Sequence, residues 1–367
     1  MEHDKEKFLK KIGQIPLSLP LFVSLVCIYG FILLYSAAGG SIEPWVSKQI
    51  VIFCIFMPIS ILIAMLDLRL IYRFSYLLYI FTLVLLVIVE FTVKSAMGAT
   101  RWINFGICTV QPSELVKIAV VLMLAKYFHE SAKYNLNGYG IFFPIIASII
   151  PIALVIKQPD LGTGIITMIV VIVMFFAAGI KWIYFVVSGL LGLTAMPLAW
   201  LMMHNYQRNR ILTFLDPERD PLGAGYNIIQ SKIAIGSGGL FGKGLLSGTQ
   251  SQLSFLPEHQ TDFIFAFLTE ERGFVGGFIL LILYSMLLVS SLSVAINCRS
   301  EFAKLMTVGI TTLFFSHVFI NIAMVMGLLP VVGVPLPLVS YGRTMMVSML
   351  VGFGLIMNAA VNQRSNV

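Results

Sequence analysis

The sequence predicts an all-α polytopic membrane protein with about ten transmembrane helices and a long extracytoplasmic loop between helices 7 and 8. Three observations carry that prediction. The 367 residues are 58% hydrophobic and only 11% charged, whereas a soluble domain carries about 25% charged and about 45–50% apolar residues. Apolar stretches near the bilayer-crossing length of about 20 residues recur along most of the chain. One polar segment, 204–271, is too long to be a simple turn. Length alone points to two or three soluble domains, but there are too few charges to surround even one such core. A cytosolic enzyme, a secreted disulfide scaffold and a disordered tail protein are excluded, and 1–367 reads as one membrane domain.

The ten spans fall at about 17–37, 46–66, 72–91, 113–129, 140–157, 161–179, 182–203, 272–296, 303–327 and 343–362. The first follows Lys5, Lys7, Lys10 and Lys11 and precedes Ser36-Ala37-Ala38, which resembles a signal peptide. Its apolar core is too long for one and further spans follow, so it reads as an uncleaved helix. The fifth and sixth are separated only by the turn Lys157-Gln158-Pro159-Asp160. Orientation follows from Lys and Arg in the short loops. With both termini in the cytoplasm, the four N-terminal lysines, Arg69, Arg73, Lys126, Lys133, Lys181, Arg299, Lys304 and Arg364 lie inside. Lys48, Lys94, Arg101, Lys157 and Arg343 lie outside, which makes twelve against five. The net charge of +7 then reads as basic loops facing an anionic leaflet, with no nucleic acid implied. The four cysteines, Cys27, Cys54, Cys108 and Cys298, have neither disulfide nor metal-ligand spacing.

The long loop is the segment where chemistry is expected, because long loops are usually functional. Its glycines (Gly236, Gly238, Gly239, Gly242, Gly244 and Gly248) do not form a P-loop, since Gly242-Lys243 is followed by Gly244. They read either as a turning loop or as backbone that approaches a bulky ligand. Asp262 stands where the polar loop gives way to Phe263-Ile264-Phe265. A carboxylate at the mouth of a bundle is partly desolvated, which raises its pKa and suits it to act as a base. The alternative is a helix cap. Glu114 and Lys117 open the fourth span on one helix face. They are either a self-neutralising pair or a site for a charged substrate group. Arg101 and Trp102 read as an interfacial anchor or a phosphate contact, and Lys157 and Asp160 as a polar turn or a ligand site. His204, His259 and His317 are scattered and no metal site is legible.

Several stretches, in order along the chain, resemble one family. They are Arg101-Trp102-Ile103-Asn104, Gln111-Pro112-Ser113-Glu114-Leu115-Val116-Lys117, Lys157-Gln158-Pro159-Asp160-Leu161-Gly162-Thr163, Asp220 to Ser231, Gly248-Thr249-Gln250-Ser251-Gln252-Leu253, Thr261-Asp262-Phe263-Ile264-Phe265, and Gly333 to Gly342. The chain is similar to the SEDS membrane glycosyltransferases (shape, elongation, division and sporulation), and the run from Gly248 is closer to their elongation branch than to their division branch. Two positions depart from the family pattern. Gln260 stands where His usually precedes Thr-Asp, and Arg343 replaces the second Gly of Ser-Tyr-Gly-Gly.

The resemblance implies a polymerase of lipid II in the bacterial cytoplasmic membrane, facing outward and working during cell elongation. Undecaprenyl pyrophosphate would be the leaving group. A class B penicillin-binding protein of the elongation machinery would crosslink the product. Asp262 would be the catalytic base, with Arg101, Glu114, Lys117, Lys157, Asp160 and Ser340 around the substrate. Because pyrophosphate leaves as a stable anion, one carboxylate is expected to suffice, unlike the pair in most glycosidases. Its charge would be balanced by Arg101, by Lys117 or by a divalent cation (Mg or Mn). A lipid II flippase and a non-catalytic scaffold are the alternatives. A solute transporter fits less well, since the motifs cluster toward one face.

Overall fold

A computed structural model describes residues 11, 13–92, 102–104, 109–131, 139–220, 223–248 and 259–363. Twelve α-helices are named here in chain order: α1 (Ser18–Ala37), α2 (Val46–Met65), α3 (Leu68–Thr92), α4 (Pro112–Ser131), α5 (Phe142–Lys157), α6 (Leu161–Ala177), α7 (Trp182–Met202), α8 (Asn205–Leu215), α9 (Ala224–Gly238), α10 (Ile264–Asn297), α11 (Glu301–Val325) and α12 (Arg343–Val361). Before α4, two short antiparallel strands, β1 (Ile103–Asn104) and β2 (Thr109–Val110), form a small hairpin ladder. All ten expected spans are helices. Arg101, Lys94, Cys108, Lys133, Arg364, Lys5, Lys7, Lys10 and the motif residues from Thr249 to Leu253 lie outside the described residues.

Six helices (α1, α2, α3, α10, α11 and α12) are long and apolar enough to cross a membrane, while α5 and α6 are shorter apolar helices. Burial separates the inner from the outer ones. The most apolar windows of α11 and α12 are 72% and 83% buried, against 17% for α2 and 22% for α3. An apolar side chain on the outer faces is stable only against lipid, so α2 and α3 line the perimeter. Almost every described side chain of α7 is exposed although the helix is strongly apolar, which marks it as lipid-surrounded. At the centre, α12 lies along α2. The two approach closely because Gly354 has no side chain: a Cβ there would come within 2.8 Å of Ser60 O, the small-residue contact that membrane helices favour. Asn358, one turn further along, ties the same pair, donating to Ile63 O (2.9 Å) and Leu66 O (2.7 Å). Cys27, Cys54 and Cys298 are free thiols.

The long loop has structure of its own, in α8 and α9. Its Gly-rich stretch fits neither a loose turn nor a ligand cradle alone, because it repairs a broken helix. The helix α10 starts at Ile264, before the expected 272, because Phe263–Leu268 continue the apolar pattern; it then breaks at Gly273 (φ 65°, ψ −164°). A break frees backbone groups that must be satisfied inside a membrane protein. Phe274 N donates to Gly239 O (2.9 Å) and Val275 N to Leu240 O (3.1 Å); Lys243 N donates to Glu270 O and Gly244 N to Glu271 O, both at 3.0 Å. The contact needs glycine. Gly242 has φ +79°, and a Cβ there would lie 2.1 Å from Glu271 O. Gly242→Ala is therefore expected to destabilise the protein by at least the 1–3 kcal/mol or so of a strained left-handed residue. Thermal unfolding in detergent measures this; an unchanged midpoint would refute the account.

Candidate active site

Residues from five of the seven motif stretches meet at one end of the bundle around a cavity of about 530 Å³. The start of α4 contributes Gln111 and Glu114, and the start of α6 contributes Asp160 and Thr163. Thr261 and Asp262 precede α10, Arg210 comes from α8 and His317 from α11. The α11–α12 connection closes the wall with Val332 to Pro335, Tyr341 and Gly342.

Asp262 is half-buried. It does not cap α10, whose N-cap is Phe263 with no side-chain cap hydrogen bond, so the capping alternative does not describe it. Its backbone is held from several sides. Asn321, fully buried on α11, donates through Nδ2 to Asp262 O (2.8 Å) and Val334 O (2.6 Å). Ser340 Oγ donates to Thr261 O (2.6 Å) and accepts from Leu336 N (2.8 Å). Tyr341 N donates to Gln260 O (2.9 Å). The turn carrying Asp262 is thus locked to the α11–α12 connection. Across from the carboxylate is Gly333, where a Cβ would come within 3.5 Å of Asp262 Oδ2.

Glu114 and Lys117 form a buried ion pair, with Lys117 Nζ 2.8 Å from Glu114 Oε1. The pair is part of a larger network. Lys117 Nζ also lies 2.7 Å from His317 Nε2, and Ser348 Oγ donates to Glu114 Oε2 (3.1 Å). An ammonium only donates, so Nε2 accepts and the ring proton sits on Nδ1. The network ties α4 to α11 and α12 below the cavity, with Glu114 and His317 on its wall.

Asp160 caps α6, accepting from Thr163 N (3.3 Å). It also accepts from Gln111 Nε2 (3.0 Å) and Ser113 Oγ (3.3 Å). It therefore bolts α4 to α6 while one edge lines the cavity. Lys157 does not line the cavity. It pairs with Glu90 at 3.0 Å, with its side chain 68% exposed. Such a surface pair contributes about 0–1 kcal/mol, so Lys157→Ala is expected to leave melting and catalysis nearly unchanged in a parallel assay; a large loss of turnover would bring Lys157 into the substrate site. Ser340 acts on the backbone beside Asp262 and is not on the cavity wall. Arg101 lies outside the described residues, although its neighbour Trp102 lines the cavity.

Arg210, His317 and Asn321 were not selected from the sequence. The signal for the last two was present, as polar residues four apart inside an apolar span share one face and seldom lie there without a role. At the departures from the family pattern, Arg343 donates to Thr109 Oγ1 (3.1 Å) on β2. His259 packs its ring against Trp45 and Phe267 and is not on the cavity wall.

The profile of the cell cycle protein family FTSW_RODA_SPOVE matches residues 16–365. The chain belongs to this family, the SEDS proteins. The Escherichia coli K12 protein named peptidoglycan glycosyltransferase MrdB is 42% identical to this SEDS chain over 363 residues, covering 98% of this chain and 97% of that protein. Stage V sporulation protein E of Bacillus subtilis is 40% identical over 281 residues, 76% of each. Among solved structures, a chain from a study of polymerization and crosslinking by a peptidoglycan synthase complex superimposes with TM-score 0.82 at 31% identity, covering 95% of this chain and 98% of that one. The rod shape determining protein RodA of Thermus thermophilus gives TM-score 0.71 at 27% identity, covering 95% and 97%.

Proposed function

We propose that this SEDS protein is a peptidoglycan glycosyltransferase that polymerises lipid II into glycan strands during cell elongation. The observation that carries the reading is the carboxylate of Asp262, half-buried in the cavity wall on a turn held by Asn321, Ser340 and Tyr341. The names of its relatives support the same class of reaction.

In this reading a sugar hydroxyl of one substrate gives its proton to Asp262 and attacks the anomeric carbon of the other. A glycosidic bond forms, the bond from that carbon to pyrophosphate breaks, and the electron pair leaves with undecaprenyl pyrophosphate. Of the other cavity carboxylates, Glu114 is paired with Lys117 and Asp160 accepts three hydrogen bonds that fasten α4 to α6. Arg210 on the wall and Lys117 beneath it supply positive charge for the pyrophosphate. A divalent cation would be a further counter-ion, although among the described residues no group of three His, Cys, Asp or Glu side chains fits one. The lipid tail stays in the bilayer while the head group enters sideways between helices.

In this reading both termini lie in the cytoplasm and the cavity faces outward, which the charge asymmetry of the short loops supports. A penicillin-binding transpeptidase is the proposed partner, supported by the likeness to a chain of a peptidoglycan synthase complex.

The test is purified protein in vesicles containing lipid II, with and without the transpeptidase and with Mg or Mn present, read for both glycan polymer and lipid translocation. Polymer is the expected result. Translocation without polymer would establish the flippase, and neither signal would leave the scaffold.

A further inference from the structure

The bundle has a second cavity, of about 600 Å³, between α3, α4 and α5. It lies at the far end of α4 from the active site: Glu130 is sixteen residues beyond Glu114, about 24 Å along a helix. Its wall includes Tyr76, Tyr79, Met123, Tyr127, Glu130 and Phe143. None of these belongs to the catalytic cavity or to the network beneath it.

The hydrogen bonds in its wall define what it can accept. Tyr72 donates to Glu130 Oε1 (2.9 Å) and Tyr76 to Glu130 Oε2 (2.8 Å). Tyr79 donates to Ala147 O (2.7 Å) and Tyr127 to Gly140 O. All four phenol protons are therefore committed to acceptors of the protein itself. In an ordinary aromatic belt the hydroxyls are directed to headgroups and water. Here the lining tyrosines offer oxygen lone pairs, and Tyr79 and Tyr127 ring faces as well, and both attract positive charge.

Glu130 adds a full negative charge. It is exposed, and among the described residues no Lys or Arg nitrogen lies within ion-pair distance of it. Lys126 Nζ sits over the rings of Tyr72 and Tyr76, at 4.7 and 4.3 Å from their centroids, but does not line the pocket. The polar end of the cavity thus presents a carboxylate and π-faces, with no basic residue among the described residues of its wall.

The rest of the surface is amphiphilic in a fixed order. On α3, Arg73, Tyr76 and Ile80 lie three and four residues apart and share one face. Arg73 is exposed, and Ile80 and Phe143 are exposed large apolar residues. The order that the pocket itself presents runs from the acceptor oxygens of Glu130 and the tyrosines to an apolar slope.

We infer that this pocket binds a phospholipid with a primary-ammonium headgroup. The three N–H donors of the ammonium meet Glu130 and the tyrosine oxygens, and the acyl chains run along Ile80 and Phe143, with the phosphate between the two. An anionic headgroup would meet Glu130 instead, and a quaternary ammonium would have no N–H to donate.

The experiment is lipid retention by the purified full-length protein, read by native mass spectrometry after titration with dioleoyl phosphatidylethanolamine, phosphatidylcholine or phosphatidylglycerol. Phosphatidylethanolamine is expected to be retained about tenfold over the others, the worth of one charge-assisted hydrogen bond. Glu130→Gln keeps the shape and an acceptor but removes the charge, and is expected to abolish the preference. Equal retention of all three lipids, or a preference for phosphatidylglycerol, would overturn the assignment. So would equal retention of the ethanolamine and choline lipids, since the ring faces alone would then select a cation. An undiminished preference in Glu130→Gln would remove the carboxylate from the site. If that variant fails to fold, the three-lipid comparison on the wild type decides by itself.

Discussion

Asp262→Asn is expected to abolish polymer synthesis from purified lipid II while leaving the protein folded. The substitution is nearly isosteric but cannot take a proton from a sugar hydroxyl. A positioned general base contributes about 10²- to 10⁴-fold, so glycan product should fall by at least that range. Stability should hold, because the contacts that fix the turn act through backbone oxygens: Asn321 on Asp262 O, Ser340 on Thr261 O and the Tyr341 amide on Gln260 O. None of these three contacts depends on the carboxylate. Asp262→Ala should behave alike. A melting midpoint equal to wild type, together with lost polymer, separates a chemical role from a structural one. Polymer retained in the Asn variant would move the base elsewhere, and Glu114 and Asp160 would be the next carboxylates to examine on the same wall.

The spans were legible because lipid imposes a simple code, namely apolar runs of bilayer length. The ends were less so. The break at Gly273 resembles a helix start near 272, because the groups that repair it come from Gly239 to Gly244, some thirty residues earlier in the chain. Local pattern does not reveal such a pairing, and for the same reason the glycines left two readings open. At the site, Asp262, Glu114 and Asp160 were visible as charges at the edges of apolar runs, and the fold gathers all three onto one cavity. Their partners were harder to read. His317 and Asn321 sit deep in α11, and only the bundle brings them against Lys117 and the Asp262 turn. Lys157 is three residues from Asp160, yet the turn between them sends it toward Glu90. Sequence proximity to a motif therefore does not fix which wall a side chain faces.

The Glu114–Lys117 pair should show strong non-additivity. Glu114→Ala leaves the Lys117 ammonium buried with His317 as its described neighbour, and Lys117→Ala leaves the Glu114 carboxylate with Ser348 as its described partner. Removing one partner of a buried ion pair costs about 3–5 kcal/mol, because a desolvated charge loses its counter-charge. Removing both leaves no orphan charge, so the double variant should unfold at a higher temperature than either single one. Such a cycle isolates the coupling between the two groups. Activity gives the second readout. If the pair only fastens α4 to α11 and α12, polymer synthesis should recover in the double variant in step with stability. If Lys117 also balances the pyrophosphate, stability should recover while turnover stays low. Equal or additive losses of stability would contradict the network itself, since independent contacts do not rescue one another. Glu114 shares the cavity wall with Asp262 while Lys117 lies beneath it, so the two readouts separate the charge that holds the helices together from the charge that meets the substrate.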